Sequence, residues 1–450
     1  MTHPARRSPF LFTYSPPARR FALALLCALI TVTLQPAYAQ TFRVLHTFTG
    51  SPDGAHPANG LVLDQAGNLY GITFDGGING NGCTALGSGT GCGTVFKLTK
   101  HGSSWLYSTL YKFRGPPDGN YPAGVVLGPD GALYGTTTGG GVVNNGGCSQ
   151  YENGCGTVFR LRPPATFCPT PLCPWNENLL YTFTGNPDGG NPYNGDLVFS
   201  SAGEIYGTTV YGGANGYGAV YELAPSQGGY LESVIYNFNK DPDGFASPYS
   251  GLIMDASGNL YGTTSFSNAQ VDGTVYQLAP SQSGWTANIL QSFQCISGPN
   301  PGCFPQALTW DSAGNLLLGN YYGAFYDRGT VIKLLASNNW SIDLLYTFTL
   351  EQGTVENRLT TDAAGNIYGT AAICDDGNGC VFKLTPSLNG YTYTELHDFM
   401  DGTDGQHPYG PVAIDADGNL YGTATNGGDL NTCRSQGDDG CGVVWEISPE

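Results

Sequence analysis

Charge is scarce in this chain. Only 12% of its 450 residues are Asp, Glu, Lys or Arg, against about 25% in an average protein. Scarce charge combined with 12% aromatics excludes a disordered chain, which is poor in rings and rich in charge. Basic residues are scarcer still, 17 Lys and Arg facing 35 Asp and Glu for a net charge of −18. That surplus repels phosphate backbones and anionic lipid, so nucleic acid and membrane surfaces are excluded as partners. Such a field attracts cations or basic groups, although solubility outside the cell is its plainer use. No Gly-x-Ser-x-Gly elbow, phosphate loop or HExxH helix occurs, and the Gly-rich stretches lack a following helix, which argues against nucleotide binding. The chain also lacks CxxC spacing and partnering histidines, so a zinc framework is not expected.

Long apolar runs are missing too. The one such run, residues 21–34, is shorter than the about 20 residues a spanning helix needs. Arg6, Arg7, Arg19 and Arg20 precede it and Ala37-Tyr38-Ala39 follows, the layout of a secretory signal with a small-residue cleavage site. Residues 1–39 are therefore expected to be removed, leaving Gln40 as the mature N-terminus and a secreted or periplasmic product with no membrane attachment. Losing four arginines and no acid moves the charge from −18 to −22.

Cysteine is what an exported chain can use. With Cys27 inside the leader, 12 of the 13 cysteines remain. They fall in close couples: Cys83 and Cys92, Cys148 and Cys155, Cys168 and Cys173, Cys295 and Cys303, Cys374 and Cys380, Cys433 and Cys441. An even count behind an export signal reads as disulfides. Connectivity does not follow from sequence, but local pairing satisfies every couple.

Glycine is abundant, 67 of 450, and it punctuates a repeat. Gly251-Leu252-Ile253-Met254-Asp255 is followed by Gly258-Asn259-Leu260-Tyr261-Gly262-Thr263 and then by Gly273-Thr274-Val275-Tyr276-Gln277-Leu278. Aligning on the aromatic of the second run gives Tyr70, Tyr134, Tyr206, Tyr261, Leu317, Tyr368 and Tyr421. A fourth run, such as Leu345-Tyr346-Thr347-Phe348, precedes each new copy. Four strands per copy make an antiparallel blade, and seven copies arranged radially make an all-β, seven-bladed β-propeller. The blades are placed at 60–113, 124–183, 196–238, 251–293, 307–348, 358–399 and 411–450, the last completed by 42–48. Phe42 to Phe48 reads as an orphan fourth strand, so the N-terminal strand is expected to close the ring over a single domain, residues 40–450. The Asp and Gly between first and second strands, as in Asp255-Ala256-Ser257-Gly258-Asn259, are read as turn formers rather than calcium ligands.

The recurring Gly-Asn-Leu-Tyr-Gly-Thr and Gly-Thr-Val-Phe strands resemble those of the GloVer tandem-repeat family of exported bacterial proteins. The resemblance covers nearly all of the chain after the leader. It implies export and brings no established reaction. Members often end in a sorting anchor, whereas Ser448-Pro449-Glu450 follows the last strand without an apolar tail, which favours free secretion.

In a propeller the irregular loops share one end, and binding sites concentrate on such loops. Three groups of residues there are candidates for ligand binding. Asp53, Asp118, Asp188, Asp243 and Asp404 each precede a glycine in a turn between blades, and together they form a possible carboxylate ring or a set of turn caps. His56 and His407 hold equivalent positions on neighbouring blades, with metal binding, acid–base work or plain packing as their readings. Asp196 and Arg358 interrupt the small-residue column that opens the innermost strands, and are expected to face the channel from blades half a turn apart. The repeated tyrosines are expected to fill the wedges between blades. The resulting expectation is a non-catalytic, monomeric propeller without a cofactor, which binds an extracellular glycan or protein through its loop-rich face, with a cation there as an option. The alternative is a lyase or hydrolase at the channel mouth.

Overall fold

A computed structural model describes residues 40–78, 83, 91–143, 148, 154–164, 175–193, 196–239, 246–267, 271–295, 301–323, 329–374, 377–388, 390–400, 402–433 and 440–449. The expected leader, the Cys168 and Cys173 couple and Asp243 lie outside the described residues. One unit spans Thr41–Ser448, and it is built from seven antiparallel sheets arranged as the blades of a β-propeller. The blade that contains the founding repeat runs Ile253–Met254, Leu260–Ser267, Asp272–Ser281 and Gly284–Ser292, with strands adjacent in chain order.

The ring closes through its ends. Thr41–Thr47 pairs antiparallel with Val443–Ser448, setting Phe42 opposite Ile447 and Val44 opposite Trp445. Phe42 also stacks on His397 of blade six, with centroids 3.6 Å apart. The N-terminal strand therefore completes blade seven and packs on its neighbour as well.

Hydrophobic clusters form between blades. Tyr70 and Val95 of blade one, for example, share a core with Leu133 and Phe159 of blade two. The repeated tyrosines fill these wedges, from Tyr421 at 1% exposed to Tyr368 at 7%. Their hydroxyls are satisfied by the turn before them. Asp64 accepts from the Ala66 and Asn68 amides at 2.9 Å, from the Asn68 side chain at 2.7 Å and from Tyr70 at 3.0 Å. Asp255, Asp362 and Asp415 do the same for Tyr261, Tyr368 and Tyr421. Blade five has Leu317 in the column, and Lys333 Nζ takes the tyrosine's place 3.0 Å from Asp311.

One difference from the sequence reading concerns the innermost strands. In blades one and two they begin at Ala55 and Gly119, ahead of the expected 60 and 124. In blade five the inner strand falls into two pieces, Cys303–Pro305 and Thr309–Trp310. The cause is a joint that breaks the ladder along the inner strands of six blades. His56, Tyr121, Asn191, Ser247, Phe304 and His407 all stand at φ of 53° to 56°, and each precedes a proline. Positive φ is costly for residues with a Cβ, so something must hold it. The N–H groups of His56, Tyr121, Asn191, Ser247 and His407 donate to carbonyls of Cys441, Cys92, Cys155, Tyr217 and Asn378 in the preceding blade, at 2.8 to 3.0 Å. The proline then packs on the glycine that opens that blade's third strand. A Cβ built on Gly156 would lie 2.7 Å from Pro192 Cδ and 2.2 Å from the Thr137 carbonyl, at a φ of +87°. Only glycine fits there.

Among the described residues five disulfides are formed: Cys83–Cys92, Cys148–Cys155, Cys295–Cys303, Cys374–Cys380 and Cys433–Cys441, with Cα separations of 5.1 to 5.8 Å. Those distances suit an unforced bridge. Cys92, Cys155 and Cys441 are also the residues whose carbonyls receive the neighbouring blade, so the bridges anchor the joints.

Gly156→Ala should destabilise the fold by about 2 to 5 kcal/mol, left-handed strain adding to overpacking. Gly258→Ala, at a φ of +83° with open space around it, should cost only about 1 to 2 kcal/mol. Urea unfolding of the two variants measures the difference, and equal midpoints would contradict the joint as described.

Candidate functional site

The aspartates of the turns between blades are used locally. Asp53 accepts from the Thr49 amide at 3.1 Å and hydroxyl at 2.6 Å, and lies 3.1 Å from His46 Nε2. Asp118 accepts from Tyr111 at 2.9 Å and from the amides of Arg114 and Gly119. Asp188 holds Tyr181 at 2.8 Å and Thr184 at 2.6 Å. Asp404 faces His397 Nε2 at 3.2 Å and the Met400 amide. Each carboxylate thus closes its own turn and fastens it to the aromatic or imidazole ring of the preceding fourth strand.

His56 and His407 serve as the positive-φ residues of their joints. His56 Nδ1 lies 2.8 Å from Asp75 Oδ1, and His407 Nδ1 lies 3.4 Å from Asn426 Oδ1. Each ring thus has a partner within its own blade. Among the described residues no group of three or more His, Cys, Asp or Glu could hold a metal ion.

Asp196 and Arg358 are brought together. Arg358 Nη2 donates to Asp196 Oδ2 at 2.6 Å, joining residues 162 positions apart from blades six and three. Gly251 makes room for this pair, since a Cβ there would overlap Asp196 Cβ at 2.1 Å. About 30% of the Asp196 side chain is accessible, and the rest is enclosed with Pro192, Thr208 and Gly251. Desolvation accordingly pushes its carboxyl up, and the Arg358 charge opposes that rise.

Beside this bridge lies a cavity of about 140 Å³, with Tyr193, Tyr249, Gln306, Glu356 and Asn357 in its wall. It adjoins a wider depression of about 370 Å³ bounded by Tyr249, Phe304, Gln306, Tyr321 and Tyr322. The shared residues make the two spaces one cleft over blades three to six. Tyr193 and Tyr249 are 47% and 39% exposed, so their rings are available to a ligand. They meet edge to face at 6.2 Å, and the Tyr249 hydroxyl lies 3.2 Å from that of Tyr211. Gln306 is fixed by donating Nε2 to the Phe304 carbonyl at 2.9 Å. Burial pushes the Glu356 carboxyl up to about 7, only weakly opposed by the Thr354 hydroxyl at 3.5 Å. Burial, and then the Glu356 charge, raise the Tyr321 hydroxyl.

Sequence reasoning missed this cleft, yet a signal was present. Blades five and six are the two that lack the turn aspartate. Blade six uses Gln352 instead, which accepts from the Thr349 amide at 3.0 Å and Tyr346 at 2.9 Å. Blade five also departs from the tyrosine column and carries Tyr321-Tyr322 after its second-strand core.

Fold, disulfides and cleft define a class: a disulfide-bonded seven-bladed propeller that belongs outside the reducing cytoplasm, with an aromatic cleft at one mouth. Among the described residues no helix is long and apolar enough to cross a membrane. The profile of the Gloeobacter/Verrucomicrobia repeat family matches residues 148–372 and 283–450, and the chain belongs to that family. No curated protein sequence matches it. Among solved structures it is similar to a PL25 ulvan lyase bound to a -[GlcA(1-4)Rha3S]- saccharide, with a TM-score of 0.53, 12% identity, and coverage of 91% of this chain and 96% of that one. It is also similar to the extracellular domain of a one-component system protein from B. thetaiotaomicron, with a TM-score of 0.52, 12% identity and coverage of 92% of this chain. The chain spans 43% of the length of that protein. At such identity these likenesses concern the fold.

Two outcomes follow for this site. Removing Arg358 strands the Asp196 carboxylate. A double-mutant cycle of Arg358→Gln and Asp196→Asn should therefore give a coupling of about 1 to 2 kcal/mol, between surface and buried pairs; additive variants would show that the bridge contributes nothing. The pH dependence of stability has two limbs. Burial opposes ionisation of Asp64, Asp255, Asp311, Asp362 and Asp415, but the donors on them win and hold these carboxyls low. Their contribution is present above the unfolded value of about 4 and is lost as pH falls through the lower folded values. Glu177, Glu232 and Glu356 are pushed by burial up to about 7, so the folded chain binds more protons than the unfolded one between about pH 4.5 and 7, and stability falls as pH rises through that window. Melting temperature should peak near pH 4 to 5. The triple Gln variant of these glutamates should flatten the neutral limb, and an unchanged limb would remove the assignment.

Proposed function

We propose that this protein is a secreted or periplasmic, non-catalytic propeller that binds a glycan in the cleft over blades three to six. The observation that carries the reading is the composition of that cleft: exposed tyrosine faces beside a fixed amide, Gln306, and one half-buried carboxyl, Glu356. Ligand sites are concave, largely apolar, and furnished with a few placed polar groups. Sugars present C–H faces for aromatic rings and hydroxyls for amides and carboxyls, and the cleft offers both. The Asp196–Arg358 bridge follows directly on this wall, Arg358 being next in the chain to Asn357. The turn aspartates, His56 and His407 support the loops from outside the cleft.

A second reading, a lyase or hydrolase at the same mouth, is favoured by one feature, a carboxyl in a cavity that exchanges its proton near neutrality. Groups of that kind serve as acids and bases. The likeness to a polysaccharide lyase adds only the fold.

Isothermal titration against a panel of soluble oligosaccharides tests both. Binding without product formation is expected, with Tyr249→Ala and Tyr193→Ala each weakening it about tenfold, the worth of one stacked ring. New reducing ends or unsaturated products, abolished by Glu356→Gln, would replace binding with catalysis. An intact affinity in the Tyr249→Ala, Tyr193→Ala double variant would move the site elsewhere.

A further inference from the structure

We propose that the ligand this cleft is built to hold carries a cationic amine, an amino sugar with an ammonium group seated against Glu356 among the tyrosine rings. The inference rests on the cleft being the glycan site and concerns the chemistry of its occupant. Three observations converge on it.

The first is a missing counter-charge. Glu356 lies in the wall of a cavity, half-buried, and among the described residues no Lys, Arg or His forms an ion pair with it; its contact is the Thr354 hydroxyl at 3.5 Å. The neighbouring cation, Arg358, is already engaged by Asp196 at 2.6 Å. Among the described residues the other groups around Glu356 include no Lys, Arg or His: they are Tyr321 from blade five, Tyr193 and Tyr249 from blades three and four, and Asn357 beside it. Among the described residues this carboxylate has no positive partner, and a ligand can bring one.

The second is the set of rings. Tyrosine faces are negative and attract ammonium groups, most strongly where water is excluded. Tyr193, Tyr249, Tyr321 and Tyr322 line the joined spaces on more than one side, which is how aromatic cages are made. The third is the long-range field. A net charge of −18 draws cations and repels acidic sugars such as uronates.

Burial pushes the Glu356 carboxyl up to about 7. An arriving ammonium stabilises the ionised form, so docking below neutrality releases the carboxyl proton to solvent. Affinity for a permanently charged ligand must then rise with pH until Glu356 is ionised, and level off above that.

The test titrates the full chain with an N,N,N-trimethyl-glucosamine oligomer, whose charge does not titrate, and with its N-acetyl counterpart. The cationic oligomer should bind about tenfold tighter at ~pH 8 than at ~pH 5.5, and the acetylated one should show no such change. Glu356→Gln, isosteric and checked for native cooperative unfolding and an unchanged circular-dichroism spectrum, should abolish the pH dependence for the cationic oligomer. Equal affinity for the two oligomers at the higher pH, or a pH dependence that survives Glu356→Gln, would overturn the cationic ligand while leaving glycan binding in place. If neither these oligomers nor any member of the wider oligosaccharide panel binds, both readings fall.

Discussion

The structure depends on a contact between a proline and a glycine. In six of seven joints, the proline after a residue at positive φ presses on a glycine that has no Cβ, and in five of them that residue also hands its N–H to the preceding blade. The cost of the strained residue is local, while the gain is shared, because the same few atoms set the spacing between adjacent sheets. Hydrophobic wedges such as the one around Tyr70 and Phe159 can fill only once that spacing is set. The joint into blade six departs, with Val355 in place of proline, and the cleft lies against this irregular part of the ring.

Disulfides reinforce the same place. Cys92, Cys155 and Cys441 are fully buried at the point where their carbonyls accept the next blade. A bridge from there to an irregular loop ties the most variable sequence to the most constrained backbone. Loops can therefore diverge in length without loosening the scaffold, which is the arrangement expected where recognition is carried by loops.

Much of the fold was legible because a repeat multiplies weak signals. A single Gly-Asn-Leu-Tyr-Gly-Thr run is an ambiguous strand, but its recurrence with Gly-Thr-Val-Phe after it leaves few architectures. The orphan strand at Phe42 gave the closure by register alone. Asp196 and Arg358 stood out as departures from a column of small residues, and the structure pairs them. The cleft was hidden because its residues belong to different blades and to no motif: Tyr193, Tyr249, Gln306 and Glu356 converge only once the ring is closed. The joint was hidden for a different reason, since positive φ at His56 or Tyr121 is imposed by the neighbouring blade and not by the residue itself.

The pairing of Thr41–Thr47 with Val443–Ser448 also bears on when the molecule can form. Arg43 and Glu446, ion-paired across the closing seam, are 403 positions apart, so the seam can assemble only after almost the whole chain has been delivered. Blades drawn from contiguous sequence can form early, but the circle stays open until the first strand meets the last. Contacts of such separation are slow to find. The step that locks the ring therefore waits until nearly the whole chain is available to it.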